Sequence, residues 1–269
     1  MTEQHGHPRV VLICHEDDKI DSEGIAAWLA NSLNLVGIIK VREKPMRLMT
    51  KLRREKRRVG LLRLIDVIAF RVYYALRLAR HDYVWIEQTV NRLRSTYPAD
   101  LKGITTLTVD DPNARAVKHF LKNLKTNLLI ARCKFILKPE IFNAPTHGTY
   151  VLHPGICPAY RNAHGCFWAL ANRDVERVGM TLLRVDKGVD TGPVLMQATC
   201  KFDEGKESHI VIQYRVVLDN LTEIADKLLS AWHGTAEPIQ VASKDSAAWG
   251  QPWFTAYLRW KRQAQSSAR

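Results

Sequence analysis

The side chains best suited to proton and carbonyl chemistry fall in two short stretches of this chain. One runs Val151-Leu152-His153-Pro154-Gly155-Ile156-Cys157-Pro158-Ala159-Tyr160-Arg161-Asn162-Ala163-His164-Gly165, and the other is Val189-Asp190-Thr191-Gly192-Pro193. An imidazole exchanges protons near neutral pH, and a carboxylate beside it can orient it and favour its charged form. His153 with Asp190 is therefore a candidate pair for moving a proton or for steadying charge that builds on a carbonyl oxygen. Each also has an ordinary reading, His153 as a hydrogen-bonded core histidine and Asp190 as the shaper of a glycine turn. His164 is either a loop histidine or a substrate contact, and Arg161 either binds an anionic group or pairs with an acid. Cys157 and Cys166 admit two further chemistries. Zinc binding lacks a close Cys-x-x-Cys pair, and a thiol nucleophile competes with the common use of Cys as a buried apolar residue.

These residues need elements to hold them. Gly148-Thr149-Tyr150-Val151-Leu152 reads as a buried strand ended by the proline and glycine that follow, which sets His153 at a strand's carboxyl end. Open α/β sheets keep their ligand crevices at that edge. Gly179 to Val185 reads as a second strand leading into the acid- and glycine-rich loop that carries Asp186, Gly188 and Asp190. Strands are also expected at Arg9 to Cys14, Leu35 to Ile39, Thr105 to Val109, Asn127 to Cys133 and Val194 to Ala198. Helices are expected from about Ser22 to Ser32, Asn113 to Lys125 and Ile136 to Phe142, and as one long amphipathic helix from Ile210 to Leu228. The alternation predicts an α/β protein, a Rossmann-like mostly parallel sheet flanked by helices, over residues 1–200. Residues 201–269 form a small C-terminal extension, a helix, a polar linker at 234–250 and an aromatic tail, Trp253 to Trp260, that packs on the core. No Gly-x-Gly-x-x-Gly follows the first strand, which disfavours a dinucleotide there.

The motifs His153-Pro154, Pro158-Ala159-Tyr160-Arg161, Val178-Gly179-Met180-Thr181 and Asp190-Thr191-Gly192-Pro193 together resemble the folate-dependent formyltransferases. This family includes the glycinamide ribonucleotide, methionyl-tRNA and amino-sugar enzymes. The resemblance implies the formyltransferase fold and transfer of a formyl group from 10-formyltetrahydrofolate to a small-molecule or conjugated amine. It puts His153 on the family histidine and Asp190 on the family aspartate. It also implies a folate cleft lined by Arg132, Cys133, Lys134, Phe135, Ile136 and Leu137 with Asp186 and Gly188, and an acceptor toward Tyr160, Arg161, Asn162 and His164. The family asparagine, two residues before the histidine, donates a hydrogen bond to the formyl oxygen; here that position is Val151, which has no donor. Losing such a donor typically costs about 10²–10³ in rate. Its replacement is sought in a protonated His153, in His164, in Asn162 or in a backbone N–H of residues 155–165. Two other readings follow: hydrolysis of the donor or transfer of another acyl or carbamoyl group, and a non-catalytic protein that keeps a folate cleft.

Five cysteines without framework spacing, no bilayer-length apolar run and no signal pattern at Met1 to His5 lead to an expectation of a cytoplasmic protein. The net charge of +13 is concentrated: Arg42 to Arg80 holds thirteen Lys and Arg against three acids, a net +10. Residues 41–100 therefore read as a basic helical insertion. Pro45 to Arg58 is charged and solvated, and Leu61, Leu62, Ile65, Ile68, Ala69, Val72, Tyr73 and Leu76 form an apolar stripe. Either that stripe packs on the domain behind a wet basic face, or the segment docks on a polyanion or an acidic membrane surface.

Overall fold

A computed structural model describes residues 6–43, 48–241 and 245–267. Met1 to His5, the residues from Lys44 to Arg47 within the charged stretch and part of the polar linker lie outside the described residues. Strand β1 (Arg9–His15) is apolar on both faces, the pattern of a strand sandwiched between helical layers. One wide helical turn (Ile20–Ile25) leads into α1 (Ala26–Ser32), which returns the chain to β2 (Asn34–Val41). The insertion is a pair of helices, α2 (Leu48–Tyr73), interrupted at Gly60, and α3 (Ala79–Thr96). Then follow β3 (Thr105–Val109), α4 (Arg115–Asn123), β4 (Leu128–Arg132), α5 (Pro139–Phe142) and β5 (Thr149–His153). After β6 (Arg161–Asn162) and α6 (Gly165–Ala171) come β7 (Gly179–Arg184) and β8 (Val194–Thr199). The chain ends with α7 (His209–Leu218), α8 (Leu221–Trp232), β9 (Ala248–Trp249) and α9 (Phe254–Ser267).

The main sheet runs β3-β2-β1-β4-β5-β7-β8. The first five strands are parallel, and β7 is antiparallel to both β5 and β8. The order reverses between β1 and β4, the switch point beside which such sheets bind ligands. His15, Arg132 and His153 are the last residues of β1, β4 and β5, so three polar side chains sit along one edge. Val10, Leu12, Ile130 and Leu152 pack with Trp28, Phe167 and Trp260 on one face. Val11, Ile13, Leu129 and Ile39 pack with Val117, Leu121 and Ile141 on the other.

Three expectations need correction. The long C-terminal helix is two helices, because Asn220 turns its amide to the carbonyls of Thr199 and Val216 and the chain bends there. The short helix expected from Ile136 begins at Pro139, where a proline costs no intrahelical hydrogen bond. The apolar stripe of α2 faces outward. The buried side chains are Leu64, Val67 and Phe70, whereas Leu61, Leu62, Ile65, Val72 and Leu76 are each more than half exposed. Phe70 decides this rotation: its ring meets those of Phe167, His209 and Tyr257 at centroid distances of 5.7, 5.4 and 5.4 Å, so its face turns inward.

The aromatic tail folds onto the body. Trp260 is fully buried, and Trp168 stacks on Trp249 at 4.8 Å and meets Trp253 edge-on at 4.7 Å. The strand β9 pairs with β6, which ties the C-terminal segment to the loop following His153.

Candidate functional site

His153 is buried at the end of β5, on the same face as Val151 by strand alternation. Its Nε2 lies 2.8 Å from the carbonyl oxygen of Tyr160. A carbonyl can only accept, so Nε2 carries the proton and Nδ1 is the nitrogen left for exchange. Nδ1 faces Asp190, 3.6 Å from Oδ2. That separation is too long for a direct hydrogen bond, and leaves room for a water or a substrate atom to bridge the two.

The backbone between them is built for this approach. Gly155 lies under the ring, and a Cβ there would press on both the Tyr160 carbonyl and His153 Nε2. Thr181, opposite His153 in the β5–β7 register, donates its hydroxyl to the Gly155 carbonyl at 2.7 Å and accepts from the Cys157 N–H at 3.0 Å. Gln197 donates to the Cys157 carbonyl from the next strand. Asp190 adopts φ of +52°, and its Oδ2 accepts the Asn162 N–H at 2.8 Å. Asp and Asn tolerate the left-handed region better than most residues. Thr191 and the Gly188 N–H both donate to Asp186, which therefore shapes this loop from within.

The acceptor-side residues divide. Tyr160 is structural: its hydroxyl donates to Asp174 at 2.9 Å and its ring stacks on Trp249. Asn162 spends its side-chain amide on the Trp249 carbonyl. Arg161 donates from Nη1 to the Val189 carbonyl, but its Nε is buried without a hydrogen-bond partner, and so is Nδ1 of His164. Of the donors sought as replacements for the family asparagine, Asn162 and the N–H groups of Gly155, Cys157, Tyr160, Arg161 and Asn162 are already engaged. His153 and His164 keep free nitrogens. Val151 is half-buried against Cys157, Leu183 and Val194.

The expected folate-side residues also divide. Arg132 does not offer its side chain to the cleft; Nε donates to Asp21 at 2.8 Å and Nη1 to the Leu152 carbonyl at 2.5 Å. Leu137 belongs to the core beside Ile141. Phe135 and Ile136 are exposed, and the turn carrying them is clamped at three points. The Lys134 N–H donates to His15 Nε2 at 3.0 Å, Asn113 donates to the Ile136 carbonyl, and the Lys138 N–H donates back to Asn113. Cys133 turns its thiol toward the Phe135 carbonyl. Thr181, the last residue of a motif quoted from the sequence, thus supports the site together with Asn113, Gln197 and Trp249, which were not singled out there; of these three only Asn113, at an expected helix start, left a local trace.

Thiol chemistry has little support. Burial, with Asp190 nearby, pushes the Cys157 thiol up to about 12, and burial raises Cys166 as well, so neither supplies a thiolate near neutral pH. Among the described residues no three His, Cys, Asp or Glu side chains converge as a metal site.

Half-buried His164, its Nδ1 shielded from solvent, rests against the buried imidazole of His209 at a ring distance of 6.1 Å. Burial, aided by the positive charge of Lys134, lowers His164 from the usual 6.5 to about 4, and burial lowers His209 in the same direction. Both are neutral when folded, whereas the unfolded chain protonates them below about pH 6.5. Their contribution to stability is therefore complete above that pH and is lost as pH falls toward 4. The expected slope is about 1.4 kcal/mol per pH unit for each. Calorimetric melting from pH 7.5 down to 5 should show the loss, and His209→Phe should flatten it.

Residues 105–222 match the formyl transferase family, a span that holds His153, Asp190 and the 132–137 turn. Over 106 residues the chain is 31% identical to a methionyl-tRNA formyltransferase of Thermotoga neapolitana, covering 39% of this chain and 34% of that protein. Over 68 residues it is 37% identical to the cytosolic 10-formyltetrahydrofolate dehydrogenase of Mus musculus, covering 25% of this chain and 7% of that one. The matched segments thus span about a third and under a tenth of those relatives' lengths. In fold, the chain is similar to the phosphoribosylglycinamide formyltransferase of Anaplasma phagocytophilum. The TM-score is 0.55 at 13% identity, over 90% of this chain and 98% of that one. The matched span runs from β3 to the start of α8, while α2 and α3 lie outside it.

Proposed function

We propose that this protein transfers a formyl group from 10-formyltetrahydrofolate to an amine, with His153 and Asp190 as its catalytic residues. The observation that carries the reading is the position of His153 Nδ1, 3.6 Å from Asp190 Oδ2, with Nε2 tied to the Tyr160 carbonyl. The residues around it fit such a donor. Exposed Phe135 and Ile136 offer an apolar platform for a flat ring, beside a loop shaped by Asp186. The donor supplies an activated formyl carbon whose carbonyl oxygen gathers charge as an amine adds. With a proton on Nδ1 in this step, His153 donates to that oxygen in the role the family gives to asparagine. Asp190 then accepts the proton shed by the attacking nitrogen, directly or through one water, and returns a proton to the leaving nitrogen as the carbonyl reforms. Arg161 Nε and His164 Nδ1, both buried without partners, would meet the acceptor.

The test is to incubate the purified protein with 10-formyltetrahydrofolate and a panel of amines, following tetrahydrofolate release by absorbance and formylated amine by mass. Formylated product supports transfer. Tetrahydrofolate release without it would replace transfer by donor hydrolysis, the reading favoured by the donorless side chain of Val151.

Val151→Asn tests the oxygen's location. An amide two residues before His153, on the same face, adds a donor and should raise kcat about tenfold or more, within the 10²–10³ that one such donor is worth. It should also cost about 1–3 kcal/mol of stability, because part of the amide is buried among Cys157, Leu183 and Val194. Steady-state kinetics and urea unfolding read both effects; an unchanged kcat would mean the oxygen lies away from this face.

A further inference from the structure

The helix α2 and the wide helical turn that follows it (Tyr74–Leu78) present a contiguous apolar ridge to solvent. Leu61, Leu62, Ile65, Val72 and Leu76 are exposed, Leu62 by 83% and Leu76 by 77%. Spacings of three and four residues through 61, 65, 68, 72 and 76 stack most of them on one side of the helix. The side is about 23 Å long at the rise of an α-helix. Monomeric proteins seldom expose so continuous an apolar surface without a partner. The opposite face of this helix is already used: Leu64, Val67 and Phe70 are buried against the domain, so the ridge cannot be satisfied by rotation.

The charge around the ridge selects the partner. Residues 53–80 carry nine Lys and Arg against Glu55 and Asp66, a net +7. Exposed Lys56 and Arg57 precede the ridge, and exposed Arg71, Arg77 and Arg80 lie within and beyond it. A second copy of this chain would bring two strongly positive segments together. A nucleic acid would answer the charge and leave the leucines in water. An anionic bilayer surface answers both, with acyl chains for the ridge and headgroup phosphates for the arginines. No helix among the described residues is long and apolar enough to cross a membrane, so the contact is one of lying on the surface.

We propose that α2 docks this protein on anionic lipid bilayers through the Leu61–Leu76 ridge and its flanking basic residues. The inner face of the same helix bears Phe70, packed on His209 beside His164, so the docking face and the acceptor side of the site share one element. The proposal does not depend on formyl transfer, and its test needs no turnover.

The full chain is floated with phosphatidylcholine vesicles and with vesicles containing phosphatidylglycerol. Binding to the anionic vesicles only, weakened by added salt, is the expected result. The double variant L62E/L76E, at two exposed positions, should lower the partition coefficient by about tenfold or more with an unchanged melting temperature. Replacing Arg57, Arg71 and Arg77 by Gln should weaken binding to anionic vesicles and reduce its salt dependence. Absence of flotation would overturn the proposal, as would flotation indifferent to L62E/L76E. So would light scattering that shows a dimer which L62E/L76E converts to monomer, or tighter binding to RNA than to vesicles that L62E/L76E leaves intact.

Discussion

Asp190→Asn lowers kcat for formyl transfer by about 10²–10⁴-fold, the usual worth of a positioned acid–base group, while the protein stays folded. The substitution is chosen to remove charge and little else. Asparagine tolerates the φ of +52° at this position, and its amide oxygen can still accept the Asn162 N–H. What disappears is the carboxylate facing Nδ1 of His153, which in the proposed mechanism receives the proton of the attacking amine. His153→Ala should reach the same range, and with it the Tyr160 carbonyl loses its donor. His153→Gln offers a donor to that carbonyl without the titrating ring and separates the two effects. The measurement is steady-state turnover near neutral pH, with near-ultraviolet circular dichroism as the folding control. Full activity in Asp190→Asn would remove the carboxylate from the mechanism.

Arg132→Ala destabilises the protein by about 3–5 kcal/mol, the cost of breaking a buried ion pair from one side. Arg132 and Asp21 are both nearly inaccessible, with side-chain exposures of 9% and 3%. Removing the guanidinium leaves Asp21 buried without its cation. It also frees the Leu152 carbonyl, one residue before His153, so activity should fall together with stability. Urea unfolding measures the first effect. The double variant Asp21→Leu with Arg132→Met should recover much of the loss, since replacing both partners by apolar groups leaves no charge unpaired. A single variant as stable as the parent would show that water reaches Asp21 and that the pair does not hold β4 against the first helical turn.

The position of Asp21 illustrates what a linear reading misses. Asp21 and Arg132 are separated by more than a hundred residues and become partners because β1 and β4 are neighbours in the sheet. Arg132 was placed in the cleft by the family resemblance, and nothing local reveals that its side chain is engaged elsewhere. Tyr160 and Asn162 are similar cases, since both answer to Trp249, which β9 carries back from the far end of the chain.

The apolar stripe of α2 shows a different failure. Helical periodicity located a helix and an apolar side from Leu61 to Leu76, and both exist. Periodicity cannot tell which apolar side is buried when two are present. Phe70, Val67 and Leu64 made the alternative face, and the aromatic cluster formed with Phe167, His209 and Tyr257 settled the choice.

Strand positions were legible because they rest on local order, and the approach of Asp190 to His153 was expected from motifs that resemble a family. Apolar runs become buried strands, prolines and glycines end them, and the His-Pro and Asp-Thr-Gly-Pro motifs keep their chemistry wherever the chain goes. The tertiary structure alone decided the tautomer of His153, the occupation of the loop's N–H groups, and which of Tyr160, Arg161, Asn162 and His164 retain unpartnered atoms. Each of those depends on which donor meets which acceptor once the chain is folded, whether a few residues away, as Tyr160 is from His153, or on another strand, as Thr181 is from Cys157. Hydrogen bonding acts over about 3 Å of space irrespective of separation along the chain.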